Sequence, residues 1–207
     1  MSKTYFTADT HFGHANIIRY ADRPWMNPET DLVPNPIDSA RLMWASPLIA
    51  QQCVEKMDRE LVERWNRVVG QDDLVYHLGD FCFGDKVATF LRYFKQLNGR
   101  IVLIKGNHDK LAWANRQSFY AYHDSYLEIK IDGQDITLCH YALRVFNKCH
   151  YGAWHLYGHS HGSLADDPNA LAIDVGVDCH NFKPISFEEV ATIMARKKFK
   201  PIDHHGE

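Results

Sequence analysis

Five short polar clusters, each directly behind an apolar run of strand length, constrain this chain more than any other feature. They are Asp9-Thr10-His11 after Tyr5–Ala8, Gly79-Asp80 after Leu74–Leu78, and Gly106-Asn107-His108-Asp109 after Ile101–Ile104. Cys139-His140 follows an alternating stretch that ends at Leu138, and Gly158-His159-Ser160-His161 follows Trp154–Tyr157. Short runs of aliphatic, β-branched and aromatic residues read as strands. Polar side chains at the ends of such strands converge on one rim of an open sheet, where α/β sheets usually bind ligands.

The stretches between the clusters define the rest of the architecture. After a short helical segment around Ile17–Tyr20, residues 22–47 contain Pro24, Pro28, Pro34, Pro36 and Pro47, five of the eight prolines. That density predicts a long surface insertion without ladder or helix, in the position of a lid or binding loop. Leu48, Ile49, Cys53, Met57, Leu61, Trp65 and Val68 recur at three- and four-residue steps and predict an amphipathic helix over Leu48–Val69. A second helix is expected over Lys86–Leu97, stopped by Asn98-Gly99. Leu127, Ile129 and Ile131 alternate with polar residues, Asp132-Gly133 turns the chain, and Ile136 and Leu138 resume the alternation, which is a hairpin. Leu171–Val175 reads as a further strand and Phe187–Arg196 as a closing helix. Nothing divides the 207 residues, so the expectation is one domain over 1–207 of the α/β (α+β) class.

The clusters offer imidazole nitrogens and hard oxygens, with no thiolate in a ligand position. Such donors suit Mn, Fe, Zn, Co or Ni, and they are too many for one tetrahedral zinc, which points to a two-metal site. Asp9 and His11 are two residues apart at a strand end and project to the same side, as do His159 and His161. The five cysteines are odd in number, lack a C-x-x-C pair and read as reduced thiols, with Cys82 and Cys139 as small core residues.

In order and composition the five clusters resemble the motif series of the calcineurin-like metallophosphoesterases: Asp-x-His, Gly-Asp, Gly-Asn-His-Asp/Glu, His and Gly-His-x-His. The resemblance covers Asp9 to His161, and GNHD and GHSH are its most specific parts. It implies two face-to-face mixed β-sheets flanked by helices, the four-layer metallophosphoesterase sandwich. It also implies one divalent metal on Asp9, His11, Asp80 and His161 and a second on Asp80, Asn107, His140 and His159, with manganese favoured and Asp80 as the bridge. A metal-bridging hydroxide would attack phosphorus while His108 serves as general acid, its imidazole oriented by Asp109. The GDxxDRG run of the superfamily's protein phosphatases is absent, since Gly79-Asp80 is followed by Phe81-Cys82-Phe83-Gly84-Asp85. The extended first motif, Asp9 to Ile18, resembles a bacterial and phage-type branch of small phosphoesterases. Within that branch His14 and Asn16 are expected to contact the substrate or to support the metal ligands from behind, and Arg144, four residues past His140, is the expected phosphate clamp.

The reading is a dinuclear-metal phosphoester hydrolase acting on a small phosphoester, with diesters favoured because the phosphatase arginine is missing. A nuclease or nucleic-acid-end processing activity is the alternative. The net charge of −3 and pI near 6.5 give no overall attraction to nucleic acid, so such a substrate needs a local patch. A non-catalytic metal-stabilised binding module is the other alternative, and the complete motif set stands against it. No apolar run of signal or membrane-spanning length occurs near the N-terminus, so a cytoplasmic location without a membrane partner is expected; the oligomeric state is left open, and His204-His205 read as a solvated tail.

Overall fold

In the computed structural model, which describes residues 2–84 and 87–203, strands and helices interleave in the first half of the chain and strands predominate in the second. The order is β1 (Thr4–Thr7), α1 (Ala15–Tyr20), α2 (Pro28–Asp31), β2 (Leu32–Pro34), β3 (Leu42–Trp44), α3 (Pro47–Val68), β4 (Leu74–His77), α4 (Val87–Phe94) and β5 (Arg100–Ile104). It continues with α5 (Lys110–Ala114), β6 (Ala121–His123), β7 (Tyr126–Ile131), β8 (Gln134–Cys139), β9 (Trp154–Tyr157), β10 (Ala172–Asp174), β11 (Ile185–Ser186) and α6 (Phe187–Met194). One sheet has the order β11-β1-β4-β5-β6, parallel except for β11. The other has the order β10-β9-β8-β7, in which only the β7–β8 hairpin is antiparallel. Both sheets are mixed and helices flank them, as expected.

Alternation along the first sheet explains the layering. Tyr5, Val75, Ile101 and Leu103 point to one face, where Met57, Leu61 and Trp65 of α3 and Phe90 of α4 cover them. Phe6, Val102 and Ile104 point the other way and meet Ile136, Leu138, Leu156 and Ile173 of the second sheet. The central strands β1, β4 and β5 are therefore apolar on both faces, which is why their sequences read as nearly unbroken runs. Asp132 and Gly133, at φ of 49° and 85°, make the two-residue turn between β7 and β8, where both positions require left-handed backbone.

Residues 22–47 depart from expectation. The segment opens inside the core, with Arg23 and Trp25 buried, and it contains both a helix and a ladder. Pro28 occupies the first turn of α2, where no N–H is needed, behind Asn27, whose side chain accepts from Glu29 N. β2 and β3 pair over three residues, Leu32 with Trp44, Val33 with Met43 and Pro34 with Leu42. This ladder is too short for its prolines to break, because Pro34 sits at its outer end. β6, β11 and α5 have no signal of their own at three, two and five residues and exist because a neighbouring strand or loop fixes them. The expected start of the second helix at Lys86, and the His204-His205 tail, lie outside the described residues. Among those residues no helix is long and apolar enough to cross a membrane.

Replacing residues 33–43 by a two-residue turn should leave the protein folded and lower its Tm by no more than a few degrees. Trp25→Ala, which removes a buried ring packed edge-on against Phe182 at 4.6 Å, should cost about 3–5 kcal/mol. Urea and thermal unfolding of the two variants check this, and equal destabilisation would mean that the hairpin belongs to the folding core.

Candidate metal centre

The rim is built by continuing the β1–β4 pairing past both strand ends. Asp9 N donates to Gly79 O at 2.9 Å, His11 N to Asp80 O at 2.9 Å and Phe12 N to Phe81 O at 3.0 Å. The first two motifs therefore descend side by side. Asp9, His11, Asp80, His159 and His161 all have left-handed backbone, at φ between 47° and 68°. Such a conformation costs roughly 1–2 kcal/mol for a side chain with a Cβ and persists only where the surroundings over-determine it. The third motif crosses underneath: a Cβ on Gly106 would lie 2.6 Å from Asp80 N, so only glycine lets the two loops approach this closely.

Two donor clusters result. Asp9, His11 and His161 form one and Asp80, His140 and His159 the other, with the donor atoms of each within 4.8 Å of one another. Asp80 Oδ2 stands between them, 3.5 Å from His11 Nε2 and 3.5 Å from His140 Nε2. Asn107 Oδ1 joins the second cluster, 2.9 Å from His140 Nε2 and 3.0 Å from His159 Nδ1. Each carboxylate is pinned by one oxygen only. His159 N donates to Asp9 Oδ2 at 2.8 Å and His108 N to Asp80 Oδ1 at 2.8 Å, leaving the other oxygen aimed into the site.

The donor set fits divalent cations on two counts. Asp9 Oδ1 and both ring nitrogens of His11 are buried without a hydrogen-bond partner, each an omission that costs about 1–3 kcal/mol unless a ligand repairs it. His140 Nδ1 faces the Leu78 carbonyl at 2.7 Å and must carry the proton, so a neutral ring presents a lone pair at Nε2 to another lone-pair atom, Asn107 Oδ1. Burial holds His140 neutral by lowering its pKa to about 4, so the two lone pairs repel unless they share a cation. Burial also lowers the pKa of His11, with the Arg23 charge adding to the effect, while burial and the neighbouring Asp80 charge raise that of Asp9. Burial likewise raises the Asp80 carboxyl above its ordinary range. Without a cation the carboxylates resist ionisation and the imidazoles resist protonation.

Sequence reasoning missed the groups that hold these ligands. Arg23 is fully buried and donates from Nε and Nη2 to the two oxygens of Asp178, both at 2.8 Å, and from Nη2 to Asp9 O at 2.6 Å. Asp178 Oδ2 accepts from His161 Nδ1 at 2.7 Å, which fixes that ring and leaves Nε2 free. Asp174 accepts from Gly162 N at 3.1 Å and Gly176 N at 2.7 Å and steadies the last loop. A signal existed, because Asp174-Val-Gly-Val-Asp178 follows an apolar strand just as the five recognised clusters do.

Of the other polar residues in and around the motifs, some reach the rim and some do not. His108 is exposed there, its ring centroid 5.8 Å from that of His11. Asp109 does not orient it: its carboxylate is buried and accepts from Asp80 N at 2.8 Å, Phe81 N at 2.8 Å and Gly106 N at 2.7 Å, so it clamps two motif loops together. His14 lies 5.5 Å from His11, stacked on Phe83 at 4.1 Å. Asn16 is engaged elsewhere, accepting from Trp44 Nε1 and Arg19 Nη1 at 3.2 Å each, which ties the β2–β3 hairpin to α1. Arg144 is exposed on a cleft of about 400 Å³ shared with Tyr157, Leu164 and Asp167, whose lining includes none of the ligand set. Lys105 pairs with Asp124 at 3.1 Å and lies over the Trp113 ring. His77, buried against Thr10 Oγ1 at 3.0 Å, and His155, bonded by Leu143 N at 3.0 Å, are structural. Tyr141 was not anticipated; its ring packs edge-on against His140 and His159, and its hydroxyl lies 3.4 Å from Asn107 Oδ1.

Comparison with known proteins bears on the family and the fold. The model of the calcineurin-like phosphoesterase superfamily domain matches residues 57–184. An uncharacterized protein of Methanocaldococcus jannaschii is 30% identical over 204 residues, covering 96% of this chain and 94% of that protein. The Gene 66 protein of Mycobacterium phage D29 is 32% identical over 112 residues, 53% of this chain and 42% of the phage protein. The crystal structure of a protein of unknown function from Aquifex aeolicus superposes with a TM-score of 0.61 at 23% identity, over 93% of this chain and all of that one, and shares its fold.

Gly106→Ala tests the loop crossing. The added methyl collides with Asp80 backbone and side chain, so the variant should lose about 1–3 kcal/mol of stability and bind divalent metal more weakly. Denaturant titration beside metal analysis measures both, and wild-type metal affinity would contradict the crossing.

Proposed function

The chain belongs to the calcineurin-like phosphoesterase superfamily, and we propose that it hydrolyses a small phosphoester, diester in preference to monoester, at a centre of two divalent cations. The observation that carries this reading is Asp80 Oδ2, equidistant at 3.5 Å from one imidazole of each donor cluster. Asp9, His11, His161 and Asp80 would hold one cation, and Asp80, Asn107, His140 and His159 the other, manganese being favoured by the carboxylate and amide oxygens of the set. Bound there, the cations would supply positive charge for the phosphoryl oxygens and acidify a water to serve as nucleophile near neutral pH.

The remaining work falls to the chain. His108 is held by its backbone amide on Asp80 while its ring reaches the open rim, a position suited to protonating the leaving alkoxide. The His14–Phe83 stack forms a wall beside His11, and Tyr141 forms one beside His140 and His159. The diester preference rests on cations: Lys105 is taken up by Asp124 and Trp113, and Arg144 lines a separate cleft. A phosphoryl group with one negative charge suits such a site better than one with two. One observation favours the second reading, a nuclease. Arg100 lies over Tyr120 at 5.1 Å, and Arg116 lies over Trp113 at 5.2 Å and Tyr122 at 5.5 Å, a cation–aromatic strip beginning beside GNHD.

Purified protein loaded with Mn should cleave a small chromogenic diester faster than the matching monoester; faster cleavage of a single-stranded oligonucleotide than of either favours the nuclease. Asp80→Asn should abolish turnover and reduce bound metal. His108→Asn should keep the metal and lower kcat by about 10²- to 10⁴-fold. Metal content measured beside kcat separates the two roles, and equal metal loss in both variants would place His108 among the ligands.

A further inference from the structure

A second group of donors lies outside the ligand set just described and differs from it in kind. Cys149 is buried, and its Sγ donates to Asp203 Oδ1 at 3.1 Å. His150 Nδ1 is 3.5 Å from the same oxygen, too poorly directed for a hydrogen bond, and is buried without a partner. The three donor atoms lie within 4.8 Å of one another. Cys149 and His150 are consecutive in a tight turn, Cys149–Tyr151, bracketed by left-handed Lys148 at φ 59° and Gly152 at φ 87°. Asp203 arrives from elsewhere in the sequence on a segment fastened by Lys198 N to Pro168 O at 2.7 Å and Lys200 N to Asn169 O at 2.9 Å.

We propose that Cys149 Sγ, His150 Nδ1 and Asp203 Oδ1 form a mononuclear site for a thiophilic divalent cation of the zinc class, with water as the fourth ligand. On binding, the Cys149 S–H bond breaks, the proton leaves to solvent and a sulfur–metal bond forms, with no change of oxidation state. Without metal, burial and the Asp203 charge hold the thiol protonated, and the buried His150 nitrogen has nothing to bond. A thiolate among the ligands favours Zn or Co over Mn, whereas the oxygen- and imidazole-rich rim accepts Mn, so the two sites would sort metals by softness. The site has a mechanical role as well. It ties the loop that begins at His140 to a segment laid along the loop that follows His161, thereby bracing both ligand-bearing loops at once.

Cobalt tests this directly, because only a sulfur ligand gives intense thiolate-to-cobalt charge-transfer absorption in the near ultraviolet. The metal-stripped full chain is filled first with Mn and then titrated with Co²⁺. One equivalent should generate the band; it should vanish in Cys149→Ser, weaken in His150→Ala and persist in Asp80→Asn. Persistence in Asp80→Asn separates this site from the rim, so that either reading can fail alone. No band in the wild type, or an undiminished band in Cys149→Ser, overturns the proposal. Should Cys149→Ser not fold, an unchanged titration in both His150→Ala and Asp203→Asn overturns it equally.

Discussion

The carboxylates of the rim are each held by the backbone of a different motif, and the rest of the site depends on that interlock. His159 N grips Asp9 and His108 N grips Asp80, so no motif can take its position unless another has already done so. One oxygen of each carboxylate is consumed in the grip and the other is left for a ligand. The Asp109 carboxylate repeats the device on a larger scale, with three amides from two loops on one buried group. Charge-assisted bonds from amide to carboxylate are among the stronger hydrogen bonds, and here they offset the left-handed backbone of five candidate ligand residues.

Behind the rim, Arg23 performs the same service for the last motif. A fully buried guanidinium would be costly alone, yet two Asp178 oxygens and the carbonyls of Asp9 and Thr10 satisfy it. Burial alone would push the Asp178 carboxyl up, but the bond from His161 and the Arg23 charge bring it below its ordinary value. His161 is thus aimed by Asp178, which Arg23 in turn fixes to the backbone of the first motif. The motifs form a closed circuit of positioned groups.

Much of this was legible in the sequence because it is periodic or local. The two-sided strands β1, β4 and β5 read as apolar runs, α3 as a stripe from Cys53 to Trp65, and the β7–β8 hairpin by its alternation and Asp-Gly turn. The seven candidate ligands at strand ends were legible because the strands were. What was hidden is non-local. Arg23 and Asp178 are 155 residues apart, and although Asp178 closes a polar cluster behind an apolar strand, nothing local pairs it with Arg23. Proline content concealed the hairpin of residues 32–44, since Pro28 and Pro34 occupy the few places where a missing N–H costs nothing. Asp109 was read as a partner of its neighbour His108, although its side chain turns inward to amides that only the folded loops bring together.

The central claim is that Asp80 is shared by two cations, and anomalous diffraction from crystals of the Mn-loaded protein tests it most directly. The account predicts two anomalous peaks of comparable height, one beside Asp9, His11 and His161, the other beside Asn107, His140 and His159, both within bonding distance of Asp80. A single peak, or a second peak that Asp80 does not reach, would contradict it.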